Sequence, residues 1–180
     1  MKTIDYKTRT SMREENNPMV PGIWSIALDI GYSSVKCMTT NKVFSFPSFV
    51  KESDDDDYDM FNPGGTMIRF RNEYGKNYDV GGIALDLANI REVNYNIGTM
   101  YGRDWYDTDT YRVCLESALG LAILSNKKRT YNKESLRVIT GLPCKYSDDA
   151  GLLKRMITGH HSFDMISPTS GMWEHFDFNV

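Results

Sequence analysis

The stretch Ile26-Ala27-Leu28-Asp29-Ile30-Gly31-Tyr32-Ser33-Ser34-Val35-Lys36 decides how the rest of this chain is read. It has the pattern of a buried strand ending in a carboxylate, a tight glycine turn and a returning strand that carries a lysine. A two-residue hairpin loop at Tyr32-Ser33 sets Gly31 opposite Ser34, Ile30 opposite Val35 and Asp29 opposite Lys36. Directly opposed residues on one face of an antiparallel pair lie about 5 Å apart at Cβ. Such a turn offers backbone N–H groups, and the hydroxyls of Ser33 and Ser34, to phosphate oxygens. Gly31 has no Cβ and permits close approach. Lys36 would neutralise phosphate charge. Asp29 would hold a magnesium ion through water, because that ion gives up its hydration reluctantly. The stretch is a candidate phosphate clamp.

The pattern Asp-x-Gly-x-x-x-x-Lys fixes three positions only, so its surroundings matter. An apolar run (Trp24, Ile26, Ala27, Leu28) precedes it, and Cys37-Met38-Thr39 continue the returning strand. Val43-Phe44-Ser45-Phe46 follow a Thr40-Asn41-Lys42 turn, which predicts a three-strand meander. The plain alternative is an ordinary hairpin whose Asp29 and Lys36 form a surface ion pair worth under about 1 kcal/mol. On the pattern alone both readings stand.

Composition narrows the classes. A chain of 180 residues, 41% hydrophobic and 12% aromatic, can bury a core of ordinary domain size. A formal net charge of −3 gives no global pull towards nucleic acid or an anionic membrane surface. No apolar run approaches the roughly 20 residues that span a bilayer. Residues 1–22 are polar and charged without an apolar stretch, which predicts a flexible leader and no secretory signal. Cys37, Cys114 and Cys144 are odd in number, widely spaced and each set in an apolar element. They read as reduced core thiols of a cytoplasmic protein.

Beyond the meander the text changes. Asp54-Asp55-Asp56-Asp57 and Asn62-Pro63-Gly64-Gly65 read as a solvated loop, since four consecutive carboxylates match no metal-binding loop. Met67 to Arg71 and Asn77 to Val80 flank a turn and predict a second hairpin, with a short helix over Gly82 to Ala88. Residues 47–105 thus look like an insertion with a small sheet of its own, ending in a connecting loop from Gly98 to Trp105. Asp107 or Thr108 can cap a helix in which Tyr111, Cys114, Leu115, Ala118, Leu119 and Ala122 recur at helical spacing, with Lys127-Lys128-Arg129 placed to complement its dipole. Leu136 to Thr140 reads as a strand stopped by Gly141-Leu142-Pro143. Ser147 is positioned to cap a helix that starts with Asp148 and Asp149, turns Leu152, Leu153, Met156 and Ile157 inward and ends at Gly159. His161 to Ile166 and Trp173 to Val180 are two more strand candidates. His160, His161 and His175 lack the CxxC or HExxH spacing of a zinc site and read as structural. Three antiparallel strands followed by helix, strand and helix predict a mixed α/β fold.

The clamp, then Phe46-Pro47-Ser48, then Asp79-Val80-Gly81-Gly82-Ile83-Ala84, then Val138-Ile139-Thr140-Gly141-Leu142-Pro143, resembles the first half of a plasmid-segregation actin-like ATPase of the ParM/StbA type. These proteins belong to the actin, sugar-kinase and heat-shock-chaperone superfamily. The resemblance runs from about Trp24 to Val180 and lies in the order and spacing of the four motifs. It implies actin-like domain I over residues 23–180, a ribonuclease H-like mixed sheet with flanking helices, and a small outer subdomain inserted near 47–105. It implies that Asp29, Gly31, Tyr32, Ser33, Ser34 and Lys36 form the first phosphate loop for ATP (or GTP), with Asp29 serving Mg2+. Tyr32 and Ser33 depart from actin's small residues at the turn, while an aromatic after that glycine suits the plasmid branch. The implied partners are further copies in a filament of the full-length protein and a DNA-binding adaptor, with no direct nucleic acid and no membrane, in the cytoplasm.

Relatives of this kind close two similar lobes over the nucleotide. No second Asp-x-Gly preceded by a strand follows here, and Val180 falls where the connection between lobes is expected. The chain therefore reads as domain I alone, without catalytic residues of its own, since electrostatic clamping of a phosphoryl group needs both walls of the cleft. Two roles follow from this: the nucleotide-binding lobe of a polymerising ATPase that moves plasmid or phage DNA, or a non-catalytic interaction or capping module that keeps the fold.

Overall fold

The computed structural model describes residues 8–53, 67–90, 103–127, 129–166, 168 and 171–180. Two five-stranded sheets enclose one central helix. The first sheet contains β1 (Ser11–Glu14), β2 (Ile23–Ile30), β3 (Ser34–Thr39), β4 (Lys42–Pro47) and β8 (Ser135–Ile139), in the order β1-β4-β3-β2-β8. The second contains β5 (Val50–Ser53), β6 (Ile68–Arg71), β7 (Asn77–Val80), β9 (His160–Ile166) and β10 (Trp173–Asn179), in the order β10-β9-β6-β7-β5. The helices are α1 (Gly82–Ile90), α2 (Asp109–Ile123) and α3 (Ala150–Ile157), with 3-10 turns at Arg103–Asp107 and Cys144–Asp149. The mixed α/β fold expected from the sequence is present. β2, β3 and β4 form the antiparallel meander, and β8 joins β2 in parallel.

β2 is read directly from its alternation. Trp24, Ile26 and Leu28 are buried on the α2 side, while Asp29 is exposed. α2 itself is buried on every side: each residue from Val113 to Ile123 is enclosed, because one sheet packs on either flank. Its start is capped by Thr108, whose Oγ1 accepts from Tyr111 N at 3.1 Å. Its end is held by side chains of the first sheet. Trp24 Nε1 donates to Ala122 O at 3.0 Å, Asn41 Nδ2 to Leu124 O at 2.9 Å, and Lys42 Nζ to Leu121 O at 2.9 Å and also to Leu124 O. These donors satisfy carbonyls that a helix terminus leaves open.

Several expectations are corrected at this point. Part of the stretch read as a leader is structured: β1 pairs antiparallel with β4, Ser11 opposite Ser45 and Glu14 opposite Lys42. The strands of the 47–105 segment close no sheet of their own, because β6 also pairs with β9. The α2 dipole meets buried Lys42; Lys127 and Arg129 lie beyond the last turn, and Lys128 lies outside the described residues. α3 has Asp149 at its N-cap position and no side-chain cap bond, with Ser147 in the 3-10 turn before it. Leu153 and Ile157 are buried, whereas Leu152 and Met156 are only partly covered. Cys37 and Cys114 are buried, but Cys144 is exposed. The acidic run Asp54–Asp57, Asn62–Gly65 and the loop from Gly98 to Gly102 lie outside the described residues.

Among the described residues no helix is long and apolar enough to cross a membrane. The histidines occupy separate structural places. His161 is buried with Nδ1 3.3 Å from Glu116 Oε1 and Nε2 2.9 Å from Ile157 O, while His175 Nδ1 lies 2.7 Å from Asp164 Oδ1 across β9 and β10.

Candidate functional site

β2 and β3 pair in the expected register, with Asp29 opposite Lys36 and Ile30 opposite Val35. Gly31 N donates to Ser34 O at 3.0 Å, leaving Tyr32 and Ser33 as the two loop residues. The backbone approaches Gly31 closely: a Cβ here would meet Ser34 O at 3.3 Å, a tight contact. Asp29 Oδ2 and Lys36 Nζ stand 3.7 Å apart with side chains 67% and 64% exposed. An ion pair this open contributes under about 1 kcal/mol to stability, so little holds it against a charged ligand. Ser33 is exposed and Ser34 buried, so the two hydroxyls read as equivalent in the sequence sit in different surroundings.

Because β2 and β8 run parallel, their carboxyl ends lie side by side. Ligands of parallel α/β sheets collect at this edge, where turns diverge from the strand ends. Here the Gly31 turn meets Thr140-Gly141, and both border a cavity of about 110 Å³ backed by Trp105, Tyr106 and Tyr111. That volume is too small for a nucleoside, whose pockets start at roughly 300 Å³. On the other side of Asp29 an open groove of about 520 Å³ is lined by Asp29, Lys36, Ala27, Met38, Ile139 and Gly141. Asp29 thus borders both spaces, and Lys36 borders the larger. The most voluminous groove, about 1050 Å³, runs between β8 and α3 past Leu136, Val138, Leu153 and Ile157. Arg137 and Lys154 also line it, but no Asp or Glu side chain stands beside them to hold a metal ion as Asp29 would.

Aromatic packing fixes the turn from one side. The Tyr32 ring lies 5.9 Å from that of Trp105, and Trp105 meets Tyr111 edge-on at 5.5 Å. Burial first, and then Tyr146 beside it, push the Tyr32 phenol up from its ordinary value. Burial likewise raises Tyr106 and Tyr111. From the other side the turn is held by Ser48, whose hydroxyl donates to Gly31 O at 2.6 Å and whose N–H donates to Ser33 O at 3.3 Å. Sequence reading picked out the triplet containing Ser48 but gave this residue no part in the site. No local pattern marks it, because the contact spans from one hairpin to the end of the next strand.

The comparisons with known proteins bear on this frame. A family model described as the N-terminal domain of actin-like proteins matches residues 27–179. The chain belongs to that family. Solved structures of similar fold include a non-polymerisable quadruple mutant of pCBH ParM (TM-score 0.59, 22% identity), covering 87% of this chain and 44% of that one. Apo psk41 ParM follows the same fold with a TM-score of 0.63 at 15% identity, covering 88% of this chain and 47% of the other. An AlfA filament bound to AMPPNP gives 0.57 at 20% identity, with 87% and 51% covered. This actin-like N-terminal domain therefore spans about half the length of the solved chains it resembles. At these identities the likeness is one of fold. No curated protein sequence matches the chain.

Proposed function

We infer that this actin-like domain is the nucleotide-binding lobe of a filament-forming protein that segregates plasmid or phage DNA in the cytoplasm. The observation that carries the reading is the open Asp29–Lys36 pair, set beside the Gly31 turn at the carboxyl ends of two parallel strands. A phosphate tail fits this arrangement because Lys36 supplies positive charge and the turn supplies N–H donors. Its fold relatives support the same reading: one solved AlfA chain is a filament holding AMPPNP, and others are ParM proteins. Filament formation of the whole protein and an adaptor that binds DNA belong to this proposal.

Magnesium fits the donor set in one mode. Among the described residues no three His, Cys, Asp or Glu side chains converge on a metal position, so Asp29 would act singly on the ion's water shell. When bound, the ion neutralises charge on the nucleotide's phosphates. Asp29 orients that shell, Lys36 balances the remaining negative charge, and the exposed turn sets the position of the tail.

Equilibrium binding of Mg-ATP to the 180-residue chain tests the reading. Lys36→Ala should weaken binding by about tenfold to a hundredfold, the loss expected for a hydrogen bond to a charged group. Exposed Lys127→Ala, remote from the turn, should leave it unchanged. Equal affinities in the two variants would defeat the proposal.

A further inference from the structure

We propose that Ser48 is the positioning residue of the phosphate turn, and that its two hydrogen bonds aim the N–H groups of Tyr32 and Ser34 at the anion. This rests on the phosphate reading above. Gly31 C=O and Tyr32 N–H belong to one peptide unit, and Ser33 C=O and Ser34 N–H to another. Among the described residues every peptide bond is trans. In a trans unit the carbonyl and the N–H point in opposite directions. Ser48 takes both carbonyls: its hydroxyl donates to Gly31 O at 2.6 Å and its backbone N–H to Ser33 O at 3.3 Å. The N–H groups of Tyr32 and Ser34 are thereby turned away from Ser48. Ser48 is 0% exposed and Ser34 is also buried, whereas Ser33 in the turn between them is open to solvent.

A two-residue turn would ordinarily close with Gly31 O accepting from Ser34 N–H. In this turn that oxygen is held by the Ser48 hydroxyl, and the backbone bond formed is the reverse one, from Gly31 N to Ser34 O. Ser48 is itself anchored. Gly81 N donates to Phe49 O at 2.7 Å, tying the segment after Pro47 to the start of α1. Gly81 adopts φ +75°, and a Cβ there would also press on Phe46 Cβ at 3.1 Å. The brace therefore stands on a junction that joins the two sheets. Lys36 would neutralise charge on the anion; Ser48 would aim two backbone donors at it.

The test is a titration of the 15N-labelled 180-residue chain with Mg-ATP and with magnesium triphosphate, followed at individual amides. In the unsubstituted chain the Tyr32 and Ser34 amide protons should move downfield together on saturation. Ser48→Ala should shift both amides before any ligand is added and weaken binding by about threefold to tenfold, the span of one neutral hydrogen bond. Ser48→Thr, which keeps the hydroxyl, should restore both. Normal affinity in Ser48→Ala alongside weakened Lys36→Ala overturns the positioning role and leaves the phosphate site standing. Saturation of the unsubstituted chain that leaves both the Tyr32 and Ser34 amides unmoved overturns it also, without recourse to any variant. Undiminished binding in both Ser48→Ala and Lys36→Ala removes the phosphate reading itself, and this inference with it.

Discussion

Lys42 is 3% exposed, although a lysine next to Asn41 in a short turn reads as a surface residue. It is buried because the C-terminal carbonyls of α2, some eighty residues later in the chain, need donors that water cannot reach. Burial lowers its pKa from 10.5 to about 8, against the opposing pull of Cys37 and Glu14. From pH 8 upward the folded chain releases this proton before the unfolded chain does, so stability rises with pH until the unfolded lysine titrates near 10.5. Cys37 and Cys114 act in the other direction. Burial raises each from 9.0 to about 12, so above pH 9 the unfolded thiols ionise while the folded ones cannot, and stability falls. Denaturant midpoints should therefore climb from pH 8 to a maximum near pH 9 and decline beyond it. Lys42→Met should abolish the climb and keep the decline. Asp29, Gly31 and Lys36 were legible from sequence for the opposite reason: their geometry is settled by a two-residue loop, with no distant partner needed. Ser48 and Lys42 were illegible because each acts on an element remote in the chain.

α2 is the element on which both sheets depend. Its spacing predicts one apolar stripe, whereas the structure buries it all round, because nothing local to the helix marks that strands as distant as β9 cover its second side. Gly120 marks the closest approach. A Cβ at this position would meet Phe163 Cε2 at 3.0 Å and Met165 Cε at 3.1 Å. Met165 can shift its end, but Phe163 is wedged among Phe70 at 5.2 Å, Phe176 at 5.3 Å and Phe178 at 6.0 Å. Gly120→Ala should cost about 1–3 kcal/mol in chemical denaturation despite the better helix propensity of alanine, as overpacking does. A stabilised variant would show that the ring cluster yields. β1 escaped sequence reading because Ser11-Met12-Arg13-Glu14 has a single apolar residue, and an edge strand with both faces largely open needs no alternation.

At the scale of the molecule, two sheets share one helix, and the acid–lysine turn opens at the carboxyl edge of the first. The order of motifs made the family legible. The continuity of β6 with β9 was not legible, because their pairing closes across some ninety residues and leaves no local mark. Phosphoryl transfer depends on charge stabilisation from all sides of the phosphate, and the proposed Asp29–Lys36 clamp would supply it from one side. The 180-residue chain alone should therefore bind Mg-ATP weakly and hydrolyse it no faster than a Lys36→Ala control; brisk magnesium-dependent phosphate release would refute that. The most direct measurement is amide hydrogen exchange of this chain with and without saturating Mg-ATP, resolved by peptide. Protection confined to residues 29–36 and the adjoining 46–49 is the result expected if the Asp29–Lys36 turn holds the phosphates. Protection centred on the β8–α3 groove, or none at the turn, would contradict it.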